Sequence, residues 1–142
     1  MKTETPTEPL LLDAGVWAAV FDPADRFHDS ARSIVLDVDH PLAALDLTLY
    51  ELANVLGVRM KLPDQARDIT RLVVDRCGSS LVKVDPPFLT TACRLAREHE
   101  LTAYDAAYVA AAERHGWQLV SLDIRDLVSR GLAVTPDAAV YP

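Results

Sequence analysis

Short apolar runs alternate with helical patterns along the chain, and this alternation constrains the fold more than any other feature. Five runs have the length and composition of buried strands; they are residues 10–12, 42–45, 81–84, 118–121 and 132–134. The segments between them carry apolar residues at helical spacing, such as Ile69, Leu72 and Val73. Strands that alternate with helices form a mostly parallel sheet covered on both faces. We therefore predict an α/β three-layer sandwich with a five-stranded parallel sheet.

The length of 142 residues fits one domain with one core, and no linker divides the chain. Residues 1–8 are polar and contain Pro6, so we expect a loose N-terminal segment there. No run approaches the roughly 20 apolar residues that a membrane helix requires, and the start lacks the pattern of a signal peptide. We expect a single cytoplasmic domain, 1–142, with no membrane association.

The net charge is −7, from 14 basic and 21 acidic side chains. This balance argues against a protein that binds nucleic acid through a broad basic face. It does not exclude a nuclease with an acidic site, because bound divalent cations reverse the local sign of the charge. Cys77 and Cys93 lack the spacing of a metal or redox site, so we interpret them as two free thiols.

Four acidic residues follow predicted strands or begin predicted helices. They are Asp13, Glu51, Asp105 and Asp123. In a parallel α/β sheet such positions lie along the carboxyl edge, where ligands bind. Side chains that are dozens of residues apart in sequence are therefore predicted to converge.

Helix capping explains each of these acids when it is taken alone. Residues 48–51 and 102–105 match the capping-box pattern, and Asp13 and Asp123 are suitable N-caps. Four unpaired carboxylates at one sheet edge, however, repel one another unless a cation neutralises them. Capping explains the acids separately, and only a metal explains all four together.

An all-carboxylate site suits Mg²⁺, with Mn²⁺ as an alternative, because both ions prefer oxygen ligands. Zinc is not expected, since no histidine or cysteine lies near the four acids in sequence. We interpret all four histidines as structural or exposed; they are His28, His40, His99 and His115.

The segments that carry these acids resemble the four acidic motifs of PIN domains, and most closely those of VapC-type toxins from bacterial toxin–antitoxin pairs. The segments are LLDA at 11–14, YELANVL at 50–56, TAYDAAYVA at 102–110 and LVSLD at 119–123. The resemblance runs from residue 10 to about residue 134, in the family's order. The Y-D-A-x-Y pattern around Asp105 is its most specific part.

This resemblance implies a magnesium-dependent endoribonuclease that hydrolyses RNA with a metal-activated water and leaves 5′-phosphate ends. It also implies a homodimer, and a VapB-type antitoxin whose C-terminal segment lies across the site. By motif, Asp13 and Asp105 would be the principal metal ligands. Glu51 and Asp123 would complete the acidic quartet, and Ser121 would take the place of the serine or threonine that steadies the site.

Two further acids lie next to these motifs. Asp126 is a candidate outer ligand, although we favour an exposed helical position for it. Asp46 leaves open whether one more acid reaches the metal. Trp17 can stack an unpaired base, but we favour a place in the core or a subunit interface.

Four basic residues follow the second motif, where they either contact phosphate or form a solvated helix surface. They are Arg59, Lys61, Arg67 and Arg71.

Several alternatives remain open. A receiver-type signalling domain would need an acidic pair after the first strand and a late lysine, which this chain lacks. A haloacid-dehalogenase-type phosphatase would need D-x-D where residues 13–15 read Asp-Ala-Gly. A PIN nuclease of RNA processing outside any toxin pair, and a non-catalytic PIN-like binding scaffold, share the predicted fold.

Overall fold

The computed structural model describes residues 8–140, and its sheet in that range has four strands. They are β1 (Leu10–Leu12), β2 (Leu42–Leu45), β3 (Leu81–Val82) and β4 (Gln118–Val120). Their order is β3-β2-β1-β4, and every neighbouring pair is parallel. Leu11 of β1 lies opposite Ala43 on one side and Leu119 on the other. Because all strands run the same way, their carboxyl ends share one edge.

Seven α-helices surround this sheet within residues 8–140. They are α1 (Ala14–Ala19), α2 (His28–Leu36), α3 (Asp46–Leu52), α4 (Pro63–Cys77), α5 (Pro86–His99), α6 (Ala103–His115) and α7 (Pro136–Val140). Shorter segments join them: a π-helical stretch Ala53–Arg59 that continues α3, a 3₁₀ turn Gly78–Ser80, and a second π-helical stretch Ile124–Val128 after β4. The helix ends follow local chemistry. For example, Gly116 adopts a φ of 69° and ends α6, as glycine commonly does at the end of a helix.

The core consists of two apolar clusters on opposite faces of the sheet. One contains Trp17, Ile34 and Ile69, which lie on α1, α2 and α4. The other contains Phe88 of α5 together with the buried face of α6. Successive residues of β1 join different clusters, as the two-residue period of a strand requires. The prediction of a three-layer α/β sandwich is confirmed.

The prediction of a fifth strand at 132–134 was wrong. The segment makes a single parallel bridge, in which Val134 N donates to Leu119 O at 2.9 Å and Ser121 N donates to Val134 O at 3.0 Å. Gly131, at a φ of 73°, turns the chain just before the segment, and α7 begins at Pro136 just after it. The segment therefore meets β4 at one position only, between the turn at Gly131 and the start of α7.

Other boundaries differ from the sequence prediction because side chains intervene. The strand predicted at 81–84 stops at Val82, and Val84 N donates to the Asp46 carboxylate at 3.2 Å. Helix α3 begins at Asp46, two residues before the predicted start at Thr48. The apolar spacing of residues 24–38 predicts one helix, but α2 begins only at His28, because turns held by aspartate side chains precede it.

Two remaining predictions bear on the ends and on membranes. Residues 1–7 of the predicted loose segment lie outside the described residues. Between residues 8 and 140, the helices are too short or too polar to span a lipid bilayer.

Trp17 is fully buried, which confirms the core position that we favoured over base stacking.

Candidate metal-binding site

All four predicted acids lie at the carboxyl edge of the sheet. Asp13 follows β1 and caps α1, where its Oδ1 accepts from Val16 N at 3.2 Å. Asp123 follows β4 and caps the second π-helical stretch, where its Oδ1 accepts from Asp126 N at 2.9 Å. Two of the acids are therefore helix caps, and each keeps a second carboxylate oxygen for another partner.

Glu51 and Asp105 occupy the early turns of α3 and α6. Because α3 begins at Asp46, Glu51 lies in its second turn rather than in its first. Asp105 lies in the first turn of α6, which is capped by Thr102 Oγ1 accepting from Asp105 N at 3.1 Å. The Thr102 hydroxyl thus supplies this cap, and the Asp105 carboxylate is not needed for it.

The carboxylates act on one another electrostatically. The pKa of Asp13 is raised to about 6, mainly by burial and also by the charges of Glu51 and Asp105, against hydrogen bonds from Ser121 and Val16 that lower it. Burial also raises the pKa of Glu51, as does the charge of Asp105, against a hydrogen bond that lowers it.

Asp105 links these two acids to the rest of the site. Burial raises its own pKa, and the neighbouring charges of Asp123 and Asp126 raise it as well. Four other acids therefore interact with Asp105. The shared role of Asp13, Glu51, Asp105 and Asp123 as metal ligands stays a prediction.

The donor set fits a hydrated hard cation. Within residues 8–140, no lysine or arginine contributes to the pKa shifts of Asp13, Glu51 and Asp105. The repulsion among these carboxylates is therefore not offset by a basic side chain of that range. In the same range, no group of three or more acidic, histidine or cysteine side chains is arranged so that it could hold a metal ion by itself. A spaced set of carboxylates suits an ion that keeps several of its waters, which is the habit of Mg²⁺.

Buried hydroxyl groups hold the acids in place. Ser121 is fully buried, and its Oγ accepts from Asp123 N at 3.0 Å while its hydroxyl interacts with Asp13. Tyr108 Oη donates to Glu51 Oε1 at 2.7 Å and contacts Thr48 Oγ1 at 2.8 Å. We predicted a place at the site for Ser121 but missed Tyr108 and Thr48. Their signal was the second tyrosine of the Y-D-A-x-Y pattern and the threonine three residues before Glu51.

The two extra acids have separate places. Asp126 is near enough to raise the pKa of Asp105, and it also forms an ion pair with Arg130 at 3.6 Å. It is partly buried, whereas we favoured an exposed position. Asp46 accepts from Leu47 N at 2.8 Å and from Val84 N at 3.2 Å, so its carboxylate ties α3 to the end of β3.

A cavity and a groove border the site on either side of Glu51. The cavity, of about 350 Å³, lies between α1 and the first π-helical stretch, and Arg59 is on its wall. The groove, of about 400 Å³, is lined by Tyr50, Asn54 and Tyr104 in addition to Leu47 and Glu51. Tyr50 is 79% exposed and Tyr104 is 61% exposed, although each directly precedes an acid of the site in sequence.

The other basic residues that we singled out line neither the cavity nor the groove at Glu51. Arg67 forms exposed ion pairs with Asp64 at 3.6 Å and with Asp68 at 3.3 Å. Lys61 is exposed, and Arg71 lines a separate groove with Val74. For Arg67 the solvated-surface interpretation is therefore the better one.

Comparison with known proteins places this site in a family. The family described as "PIN domain" matches residues 10–129. "Ribonuclease VapC3" of Pyrobaculum aerophilum is 34% identical over 132 residues, which cover 89% of this chain and 98% of that protein. The crystal structure of PAE2754 from the same organism has a TM-score of 0.68 and 27% identity, with 94% of this chain and 95% of that chain covered.

A second solved structure, described as a toxin–antitoxin complex from Klebsiella pneumoniae, has a TM-score of 0.67. It is 20% identical and covers 89% of this chain and 97% of the matched chain, so it supports the fold alone. The family match spans β1 to β4 and all four acids. The chain belongs to the PIN-domain family.

Proposed function

We propose that this protein is a metal-dependent endoribonuclease and the toxin of a VapBC-type toxin–antitoxin pair. One observation carries the proposal: the charges of Glu51 and Asp105 raise the pKa of Asp13, and that of Asp105 raises the pKa of Glu51, with no basic side chain of residues 8–140 among the causes. The nearly full-length similarity to a protein named a ribonuclease supports the same conclusion.

We assign the metal as Mg²⁺, with Mn²⁺ as a substitute, on the all-oxygen character of the donors. Asp13 and Asp105 would be its principal ligands, and Glu51 and Asp123 would hold its remaining waters. When bound, the ion would supply a Lewis acid that polarises the phosphate and makes water more acidic.

The chain's own residues prepare this reaction in three ways. Asp13 is fixed at two points, by Val16 N and by the Ser121 hydroxyl, so its carboxylate is oriented before any ligand arrives. Glu51 keeps one oxygen bound to Tyr108 and the other available to a water. Hydrolysis by water in line with the leaving 3′-oxygen breaks the P–O3′ bond and leaves a 5′-phosphate and a 3′-hydroxyl.

The groove beside Glu51 supports single-stranded RNA as the substrate. Tyr50 and Tyr104 present exposed rings next to the acids, and Asn54 adds an amide that can bind a base edge. Loss of one stacking ring weakens binding by about 1–3 kcal/mol. Tyr50→Ala should therefore raise KM, while Tyr50→Phe, which keeps the ring, should not.

The partners in this proposal are an RNA substrate, a second copy of the chain in a homodimer, and a VapB-type antitoxin, all in the cytosol. The cavity that contains Glu51 and Arg59 supports a place for the antitoxin. Its walls are largely apolar and come from α1 and the first π-helical stretch, with Asp22 and Asp25 at the side. A peptide that places a basic side chain over Glu51 would neutralise the site without a metal.

A cleavage assay tests the proposed function. The purified chain is incubated with end-labelled RNA in Mg²⁺ or in EDTA, and the new ends are sequenced. We expect Mg²⁺-dependent fragments with 5′-phosphate ends. Asp29→Asn, which changes an exposed acid on α2, should cleave like the wild type. Products with 2′,3′-cyclic phosphate would contradict the mechanism, and RNA binding without cleavage would indicate a binding scaffold.

A further inference from the structure

We propose that Tyr108 and Thr48 are positioning residues that hold Glu51 in the orientation in which it takes part in metal binding. They do so through a chain of hydrogen bonds that starts at the backbone of β2. This inference rests on the proposed function, because it assigns a role toward the metal of the same site.

The chemistry of the groups determines the direction of every bond in this chain. An ionised carboxylate only accepts, so the single hydrogen of Tyr108 Oη goes to Glu51 Oε1 at 2.7 Å. Tyr108 can then only accept from Thr48, whose hydroxyl lies at 2.8 Å. Thr48 Oγ1 in turn accepts from Leu45 N at 3.1 Å. The chain therefore runs from a backbone amide at the end of β2, through two side-chain hydroxyls, to the carboxylate.

The chain is shielded from water along its length. Thr48 is fully buried and Tyr108 is 2% exposed. Buried networks in which every member has its partner are rigid, because each broken bond leaves an unsatisfied polar group in the core. A bond to a charged acceptor is also stronger than one between neutral groups. Glu51, which is half-buried, is thus tied through two buried hydroxyls to the backbone at the end of β2.

Glu51 needs such support more than the other acids do. Asp13 and Asp123 have short side chains, and each is fixed by its own helix cap. Glutamate has one more rotatable bond, and its ordering costs more side-chain entropy. Tyr108 belongs to α6, the helix that also carries Asp105, so it sets the Glu51 carboxylate relative to a second acid of the site.

Tyr108→Phe tests this role because it removes one oxygen and keeps the ring. Removing the outer partner of a metal ligand typically lowers metal affinity by about 10-fold to 100-fold. We expect titration calorimetry of the metal-free, full-length protein with Mn²⁺ and with Mg²⁺ to give a Kd about 10-fold higher than that of the wild type. The Mg²⁺ concentration for half-maximal RNA cleavage should rise by the same factor.

Two controls separate positioning from a general effect on the fold. Thr90→Val removes an exposed hydroxyl from α5 that lines neither the cavity nor the groove at Glu51, so its metal affinity should equal that of the wild type. Thr48→Ser keeps the hydroxyl and should bind metal normally, whereas Thr48→Val should weaken binding as Tyr108→Phe does. This second pair decides the question even if Tyr108→Phe does not fold.

A double-variant cycle shows whether Tyr108 acts through Glu51. In Glu51→Ala there is no carboxylate to position, so adding Tyr108→Phe should change the Kd no further. A further loss in the double variant would overturn the inference, as would a wild-type Kd in Tyr108→Phe. If the wild-type protein itself binds no metal and cuts no RNA, the proposed function fails too. If it does both and Tyr108→Phe matches it, only this inference fails.

Discussion

The acidic site has two halves, and the chain holds their carboxylates in different ways. In the inner half, Asp13 and Glu51 each receive a hydrogen bond from a buried hydroxyl, on Ser121 and Tyr108 respectively. In the outer half, which contains Asp105, Asp123 and Asp126, the acids lie at the starts of two helical segments, and one of them pairs with an arginine.

The difference separates two tasks. Hydroxyls that are themselves buried fix the inner carboxylates before any ligand binds, so we expect this half to keep its geometry. The outer carboxylates lie on helix starts with fewer side-chain ties, so we expect them to adjust when a metal binds. Asp105 interacts electrostatically with acids of both halves and joins them.

The largest effect is expected where the halves meet. Asp105→Asn removes the one charge that acts on Asp13, Glu51 and the rest of the outer half. Loss of a metal's stabilisation of the transition state amounts to several kcal/mol, so single-turnover cleavage of labelled RNA should slow by about 1000-fold or more. Asp29→Asn is the matched control. A loss of only a few-fold would mean that the two halves work independently.

Asp13→Asn should stabilise the metal-free protein at neutral pH. Burial raises the pKa of Asp13 from 3.8 to about 6, so ionisation costs the folded state about 3 kcal/mol. The contribution of this group to stability is fully present below pH 3.8 and is lost as the pH rises to about 6. Asparagine can still cap α1 but does not ionise.

Urea unfolding in EDTA measures this effect. The stability of Asp13→Asn relative to the wild type should grow between pH 4 and pH 7, by up to about 3 kcal/mol. Mg²⁺ should then stabilise the wild type more than the variant. A pH-independent difference would show that the pKa of Asp13 is not raised in the folded protein. It would also contradict the expectation that the inner half binds a cation.

Ser121→Ala should have an intermediate effect, because Ser121 contacts one acid of each half. Its hydroxyl lowers the pKa of Asp13, and its Oγ accepts from Asp123 N. We expect about 10-fold weaker Mg²⁺ binding by calorimetry. The acid limb of the pH–rate profile should also move to higher pH. Ser129→Ala, which removes an exposed hydroxyl, should change neither quantity.

Asp126→Asn should have the smallest effect. The charge of Asp126 raises the pKa of Asp105, but its carboxylate also pairs with Arg130 on the surface. Exposed pairs of this kind contribute about 0–1 kcal/mol, so cleavage should change by about twofold or less. A loss above tenfold in the same assay would make Asp126 a ligand and would extend the outer half.

The parts of the fold that depend on local pattern were predictable from sequence. Apolar runs located the cores of β1, β2 and β4, and the parallel topology then placed the following acids at one edge. The absence of a fifth strand at 132–134 was not predictable, because it depends on how Gly131 turns the chain toward α7. The early start of α3 was missed because the Asp46 carboxylate accepts a hydrogen bond from Val84 N, which is 38 residues further along the chain.

The site itself was predictable at the level of its acids but not of their supports. Asp13 and Asp123 directly follow strands, so topology alone brings them to the edge, whereas Asp105 begins a helix that follows another helix. Tyr108 has the appearance of an ordinary buried helix residue, and its partners are 57 and 60 residues distant. Two π-helical stretches begin one or two residues after Glu51 and Asp123, which no sequence pattern indicated. Such turns are rare and often accompany functional sites.

The arrangement of β4 beside β1 has a consequence for the timing of synthesis. Asp13 is made early, but the carboxylates that complete its surroundings come from β-strand ends as late as residue 123. A nascent chain on the ribosome therefore carries no assembled nuclease centre until its last strand has emerged and docked against its first. An activity directed at RNA would thus stay latent until β4 and Asp123 had left the ribosome.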